Sequence, residues 1–181
     1  MLFWKQRASR VTKSASRREA VIDKIADYVL AEGLSASSLR PLAEAAGTSD
    51  RMLLYYFKDK AELMAAALER VSARFAGHLQ AQLSGKRLAY EPLRKKVVKI
   101  VLAPESAPYM RVWLEIAANA GRGDPFYRAV GGALARGFLA FTEAQLDVPP
   151  ARRRTEALTL LAAVEGTMLL HSLGLDEVAR L

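Results

Sequence analysis

Apolar residues recur in this chain at intervals of three and four positions, the spacing that gathers them on one face of an α-helix. A clear example precedes Gly33 and consists of Ile22, Ile25, Ala26, Val29 and Leu30. Ser16 and Glu19 have the spacing of a capping box, in which each side chain binds an unpaired backbone N–H. We therefore expect this helix to begin at Ser16 and to end at Gly33 in a left-handed conformation.

Two short helices are predicted next, joined by a tight turn at Gly47, a residue that permits a sharp reversal. The apolar positions of the first short helix are Leu39, Leu42, Ala43 and Ala46. Those of the second, all expected to face the core, are Leu53, Leu54 and Phe57. Each helix is preceded by possible N-cap residues, which are Ser37 or Ser38 and then Thr48 or Ser49.

The remaining face of the second short helix combines charge with aromatic edges. It carries Asp50, Arg51, Met52, Tyr55 and Tyr56. Such a mixture suits a DNA groove better than plain water. Residues 38–60 are therefore predicted to form a helix-turn-helix that binds DNA.

A long helix is predicted over residues 60–83, where apolar residues recur at four-residue steps. At 1.5 Å per residue this helix is roughly 35 Å long, which is enough to connect one domain to another. The rest of the chain shows no strand-like alternation, and further helices are expected at residues 90–102, 109–120, 125–146 and 151–172. The predicted fold class is all-α.

Residues 155–173 are apolar on nearly every side, with small residues at Ala162, Ala163 and Gly166. A helix of this kind must be buried on two sides. We expect it to pair with residues 129–146 in a four-helix interface of a two-fold homodimer. The alternative is a central helix buried within one subunit.

The composition indicates a globular protein with a buried core, and its surplus of basic residues makes a polyanion a plausible partner. The chain has 181 residues, of which 51% are hydrophobic, and its net charge is +8. Residues 1–18 contain six basic residues and no acidic one. Residues 1–15 are therefore predicted to be a flexible basic arm that contacts phosphate, the alternative being a solvated tail. No apolar run reaches the length of a membrane span, so we expect a soluble, cytoplasmic protein with no membrane partner.

Enzymatic and metal chemistry find little support in the sequence. There is no cysteine, and the two histidines, His78 and His171, belong to different predicted helices. No zinc-protease, P-loop or serine-hydrolase motif occurs. We predict no catalytic residue, no metal site and no cofactor.

Residues 16–68 resemble the DNA-binding domain of the TetR family of bacterial transcriptional regulators. The matching features are the first helix ending at Gly33, the stretch 38–43, Ala46-Gly47, Tyr55-Tyr56-Phe57, Lys60 and Leu63. The resemblance implies three helices with the third in the major groove. It also implies a fourth helix that leads to an all-helical regulatory domain, a homodimer, and a pocket for a small-molecule effector. The implied domains are residues 1–15, 16–60 and 61–181.

The resemblance carries DNA contacts over to particular positions. The predicted DNA-binding residues are Ser38, Arg40, Ser49, Asp50, Arg51, Met52, Tyr55, Tyr56 and Lys60. Ser38 and Lys60 would contact phosphate from helix N-termini. The family usually has a small residue at position 51 and a phosphate-contacting tyrosine at position 54, where this chain has Arg51 and Leu54. Arg51 is expected to bind either a guanine edge or a phosphate, and both alternatives stay open.

Aromatic and soft side chains of the C-terminal half are candidates for the implied effector pocket. They are Tyr109, Met110, Trp113, Phe126, Phe138, Phe141, Met168 and His171. Glu115 and Glu165 lie beside apolar neighbours and are expected to orient a ligand. The alternative for the aromatic and soft residues is an ordinary place in the core, and for the two glutamates it is a side chain that is satisfied within the protein or faces solvent.

The sequence thus predicts a sequence-specific DNA-binding transcriptional regulator. It is expected to be a repressor that a small apolar or amphipathic molecule releases from a palindromic double-stranded operator. Two alternatives are a DNA-binding protein indifferent to sequence and a helical interaction protein without ligand response.

Overall fold

The computed structural model describes residues 2–83 and 85–180, with side chains described for residues 15–83 and 85–179. Its α-helices are α1 (Leu2–Glu32), α2 (Leu39–Ala46), α3 (Asp50–Tyr56), α4 (Lys60–Leu83), α5 (Tyr90–Val101), α6 (Ala107–Gly121), α7 (Pro125–Gln145) and α8 (Pro150–Ser172). Two 3₁₀ segments complete the regular structure, at Pro104–Ser106 and Asp176–Arg180. The predicted all-α fold class is confirmed. No helix in the described part of the chain is long and apolar enough to cross a membrane.

The chain divides into two compact units, Met1–Val71 and Ser72–Leu181. The first contains α1, α2, α3 and the start of α4, and its side chains enclose a core of their own. Fully or nearly fully buried in it are Ile22, Ile25, Ala26, Val29, Leu42, Ala43, Leu53, Phe57, Leu63, Ala67 and Leu68. Arg70 of α4 donates to the carboxylates of Asp23 and Glu19 on α1, so ion pairs also tie these two helices together.

The helix start predicted at Ser16 is wrong, because α1 begins at Leu2. Residues 2–15 contain neither glycine nor proline and are rich in residues that favour helices, so nothing in them stops the helix from continuing past the capping box. Most of the predicted basic arm therefore has a helical backbone. The side chains of residues 2–14 lie outside the described residues, and the phosphate contacts expected of them stay predictions.

The second unit is built from α5 to α8 and the remainder of α4. Helix α6 packs on α7, and both α5 and α7 pack on α8. Asp124 caps α7, since its carboxylate accepts from the backbone N–H groups of Phe126 and Tyr127 at 2.9 and 3.2 Å. The segment before α5 is held to the end of α7, where Leu88 donates its N–H to the Gln145 carbonyl at 2.8 Å.

Only one face of helix α8 is buried in this unit. Its inner face includes Leu160 and Met168, which are 1% and 5% exposed. On the opposite face Leu158 is 49% exposed and Leu169 is 48% exposed. The alternative of a helix buried on all sides within one subunit is therefore wrong.

Candidate nucleic-acid interface and effector cavity

The turn between α2 and α3 is closed by backbone hydrogen bonds and requires glycine. Gly47 has φ +65°, and the N–H groups of Gly47 and Thr48 donate to the carbonyls of Glu44 and Ala43 at 3.0 and 2.9 Å. This is the Schellman arrangement, which satisfies carbonyls left unpaired at a helix end. Lys24 of α1 donates to the Ala46 carbonyl at 3.1 Å, so the first helix also holds the turn.

Helix α3 is anchored to the first unit by its apolar side. Leu53 is 0% exposed and Phe57 is 2% exposed. The Arg18 guanidinium lies 4.6 Å from the centroid of the Phe57 ring and donates to Glu62 at 3.2 Å. Arg18, one of the six basic residues among residues 1–18, therefore stabilises this unit through its contacts with Phe57 and Glu62.

The outward side of α3 carries most of the residues predicted to contact DNA. Asp50, Arg51, Met52 and Tyr55 are exposed, and Tyr56 is half-buried. Tyr55 and Tyr56 pack edge to face, with ring centroids 5.4 Å apart. The prediction that Leu54 faces the core is wrong, since it is 49% exposed. At 100° per residue, Leu54 falls between Asp50 and Arg51 on the outer face.

Ser38 and Ser49 both precede helices, but their hydroxyl groups are used differently. The Ser49 hydroxyl accepts from the Met52 N–H at 3.3 Å and so caps α3, as predicted. Ser38 stands at the N-cap position of α2 without a capping hydrogen bond from its side chain, and it is exposed. The N-terminus of α2 is therefore more open to an anion than that of α3.

The N-terminus of α4 is already occupied by acidic side chains. Asp59 accepts from the Glu62 N–H at 2.8 Å, and Glu62 accepts from the Lys58 N–H at 2.8 Å. The expectation that Lys60 binds phosphate together with this helix N-terminus needs correction, because these carboxylates already take up N–H groups there. Lys60 is exposed, so its ammonium group is what remains available to a phosphate.

Arg40 projects from α2 beside this surface. Its side chain is 84% exposed and pairs with Glu44, one turn further along the helix, at 3.2 Å. Exposed ion pairs of this type are weak, so a phosphate oxygen can replace the Glu44 carboxylate at little cost.

Four of the ten predicted pocket residues line a cavity of about 530 Å³ in the second unit. They are Met110, Glu115, Met168 and His171. The cavity opens between the end of α5, α6 and the end of α8. His171 also lies 2.9 Å from the Asp176 carboxylate, which brings the C-terminal 3₁₀ segment next to one wall.

Eight further lining residues were missed by the sequence analysis. They are Val101, Leu102, Ala103, Ala107, Arg111, Leu114, Ala118 and Ser172. Four of them, from Ala107 to Ala118, recur at steps of four, three and four on α6, which is a helical face that the periodicity could have revealed. The other four, Val101, Leu102, Ala103 and Ser172, lie at the ends of α5 and α8 and line the cavity only because of tertiary packing.

The other predicted pocket residues are not part of this cavity. Tyr109 and Phe138 pack against Phe75, with ring centroids 5.2 and 6.0 Å away, and Trp113 packs against Phe138 at 6.4 Å. Phe141 is half-buried against the same core. At the start of α7, the ring of Phe126 packs on Tyr127 at 5.0 Å. For Tyr109, Trp113, Phe138 and Phe141, which pack against the core of the second unit, the structure favours the alternative of an ordinary place in the core.

Glu165 is held inside the unit by Trp113, whose indole N–H donates to its carboxylate at 2.6 Å. Burial raises the pKa of the Glu165 carboxyl, and the hydrogen bond from Trp113 opposes that shift. Burial also raises the pKa of Tyr127, helped by the nearby charges of Asp124 and Glu115. Among the described side chains, no group of three or more histidine, aspartate or glutamate residues is placed to hold a metal ion.

Comparison with known proteins agrees with this geometry. Residues 22–67 match the model of the bacterial regulatory proteins of the tetR family. This range contains α2, α3 and the turn between them, so the predicted family resemblance is confirmed for it. None of the curated proteins compared with the chain matches it.

Solved structures of similar fold include the TetR-family regulator from Cytophaga hutchinsonii, with 18% identity and a TM-score of 0.73, covering 93% of this chain and 92% of that one. E. coli NemR in its reduced form has 18% identity and a TM-score of 0.69, with 91% and 94% covered. A protein from Saccharomonospora viridis, named a transcriptional regulator and solved with choline, has 16% identity and a TM-score of 0.64, with 92% and 93% covered. At these identities the likeness concerns the fold.

Proposed function

Because this chain carries the DNA-binding domain of the tetR family of bacterial regulatory proteins, we propose that it is a cytoplasmic homodimeric repressor released from a palindromic operator by a small molecule. DNA binding and transcriptional regulation follow from the family. The dimer, the operator symmetry, the repression and the effector are our proposals. The observation that carries the proposed sequence-specific DNA binding is the outward face of α3, where Arg51 is exposed at the start of the expected recognition helix.

In this proposal α3 enters the major groove and the residues around it bind the backbone. The guanidinium of Arg51 can donate two hydrogen bonds to one guanine, to its O6 and N7 atoms. Ser38, Arg40 and Lys60 are exposed on neighbouring helix ends, where they can contact phosphate. Two copies in a two-fold dimer would contact half-sites about one helical turn apart, roughly 34–36 Å.

The experiment that tests sequence-specific binding is selection of bound fragments from random DNA. A palindrome supports the proposal, whereas retention of DNA without any enriched sequence supports the alternative of indifferent binding. Failure to retain DNA supports the alternative of an interaction protein.

The role of Arg51 is tested on the selected operator with Arg51→Ala, using Arg122→Ala as the control. Arg122 is an exposed arginine outside residues 22–67. Base reading by Arg51 predicts a loss of about 1–3 kcal/mol on the operator and little change on unrelated DNA. An equal loss on both DNAs assigns Arg51 to phosphate.

The proposed dimer interface combines the exposed sides of α7 and α8. The exposed positions of α7 include Ala129, Ala133, Gly137, Ala140 and Ala144. Small residues at this helical spacing allow another helix to approach closely. Leu158 and Leu169 of α8 are 49% and 48% exposed, which supports burial of this helix against a second subunit.

The proposed effector site is the cavity of about 530 Å³ in the second unit, a size typical of small-molecule pockets. Most of the residues that line it are apolar, and its polar lining residues are Arg111, Glu115, His171 and Ser172, so we expect an amphipathic or largely apolar ligand. The Saccharomonospora viridis protein holds choline, which supports a small organic molecule in a protein of this fold. An effector that prefers a conformation unsuited to the operator lowers DNA affinity, and DNA lowers effector affinity by the same factor.

The effector is sought by adding compounds to the operator complex and measuring dissociation. Ala118→Phe fills the cavity and is expected to abolish the response while leaving operator binding unchanged. A compound that dissociates the variant as well as the natural chain acts at another site.

A further inference from the structure

An apolar side chain stands in the middle of the outward face of α3. Leu54 is 49% exposed, and its neighbours on this face are Arg51, one turn earlier, and Tyr55, which is 73% exposed. Single exposed leucines are common on protein surfaces. Leu54 differs because it lies among the residues that are proposed to enter the major groove.

The chemistry of leucine limits what it can recognise there. Its side chain has no hydrogen-bond donor or acceptor, so it cannot read the polar edge of a base. The apolar group that a base pair presents in the major groove is the 5-methyl group of thymine. We propose that Leu54 reads the 5-methyl group of a thymine in each half-site of the operator, an inference that rests on the proposed DNA-binding function.

The position of Leu54 relative to Arg51 indicates where this thymine lies. The two residues are three positions apart, which is about 4.5 Å along the helix axis. Neighbouring base pairs are about 3.4 Å apart along the duplex. With α3 lying along the major groove, this spacing places the thymine within about one base pair of Arg51. Contact with thymine in place of uracil buries roughly one additional carbon, worth about a fourfold gain in affinity for each half-site.

The inference is tested on the operator obtained by selection from random DNA. Each thymine of one half-site is replaced in turn by deoxyuridine, which removes the methyl group and keeps every hydrogen-bonding atom. We expect one replacement to lower the affinity of the natural chain about fourfold, and the symmetric double replacement to lower it about fifteenfold. Leu54→Ala is expected to bind the thymine and the deoxyuridine operators equally well.

Met52→Ala is the matched control, because Met52 is an apolar residue of the same helix that is 37% exposed. This variant is expected to keep the preference for thymine. If Met52→Ala loses the preference and Leu54→Ala keeps it, the assignment to Leu54 is overturned. The assignment is also overturned if all deoxyuridine operators bind as tightly as the original, and the proposed function then still stands. If no sequence is enriched in the selection, the proposed sequence-specific function fails and the inference fails with it.

Leu54→Ala is expected to fold like the natural chain. Alanine has a higher helix propensity than leucine, and the exposed position removes little buried area. The deoxyuridine series on the natural chain also gives a result without any variant, so the inference remains testable on the unaltered protein.

Discussion

The indole of Trp113 on α6 donates a hydrogen bond to the carboxylate of Glu165 on α8, and the two atoms are 2.6 Å apart. This contact holds a carboxyl group at a largely apolar helix interface. Burial raises the pKa of Glu165 more than the hydrogen bond lowers it. The pair therefore links the stability of the second unit to pH.

The sign of this link follows from the raised pKa. A carboxyl group that binds its proton more tightly in the folded chain stabilises the fold below its unfolded pKa of about 4.3, and that contribution is lost as pH rises through the folded pKa. Glu165→Gln removes the titration but keeps an oxygen that can accept from Trp113. We expect the variant to lose less unfolding free energy than the natural chain between pH 4 and pH 8.

Urea unfolding at a series of pH values measures this difference. Glu105→Gln, which changes an exposed carboxyl group of the same unit, is the control. Parallel curves for Glu165→Gln and the natural chain would contradict the prediction.

Gly47 is expected to be needed for the stability of the DNA-binding unit. Its φ of +65° costs any other residue except asparagine or aspartate about 1–2 kcal/mol, and an added Cβ would lie 3.3 Å from the Lys24 ammonium nitrogen. Gly47→Ala should therefore lower the unfolding free energy of this unit by about 1–2 kcal/mol. Thermal unfolding followed by circular dichroism measures the effect.

Gly77→Ala is a control that is expected to change stability in the opposite direction to Gly47→Ala. It lies inside α4, is exposed, and has nothing within 4 Å of an added Cβ. Gly77→Ala should raise stability by about 0.5–1 kcal/mol, because alanine favours the helix. A stabilising Gly47→Ala would show that the turn does not need a left-handed residue.

Lys60 is expected to contribute to DNA affinity through charge alone, since Asp59 and Glu62 occupy N–H groups at its helix end. Lys60→Ala should weaken binding to all sequences and reduce the slope of log affinity against log salt concentration by about one unit. Fluorescence anisotropy over a range of salt concentrations measures the slope. Lys86→Ala, which removes an exposed lysine of the second unit, should leave it unchanged. An unaltered slope in Lys60→Ala would remove this residue from the phosphate contacts.

The exposed small residues of α7 predict how the dimer can be broken. Ala133→Glu introduces a charge and extra volume at the proposed interface, and we expect it to produce a monomer at micromolar concentration. Ala73→Glu makes the same change at an exposed position of α4 and should leave the dimer intact. Sedimentation velocity distinguishes the two outcomes. A natural chain that is itself monomeric would contradict the proposed operator geometry.

The helices and the turn of the DNA-binding unit were largely predictable, because the signals that specify them lie within a few residues of one another in the sequence. Leu42, Leu53 and Phe57 recur at helical spacing and are buried in one core, and Gly47 is the residue type that most readily adopts the left-handed conformation of the turn. The start of α1 was predicted wrongly, since the capping box at Ser16 is a local signal that a longer helix with no breaking residue can override. Leu54 was wrongly predicted to face the core because it is apolar. Whether a helical residue is buried also depends on which face of the helix carries its side chain.

The helices of the second unit were predictable from the sequence, but most of the residues that line its cavity were not. Helical spacing in the sequence by itself determined α4 to α8 within a few residues, because each repeat lies within one helix. Tertiary structure decided which aromatic residues pack with Phe75, and it decided which parts of α5, α6 and α8 come together around the cavity. The reason is that a cavity is the space left between helices distant in sequence, so its walls depend on how those helices cross. The bond between Trp113 and Glu165 joins residues 52 positions apart, and no local pattern could have paired them.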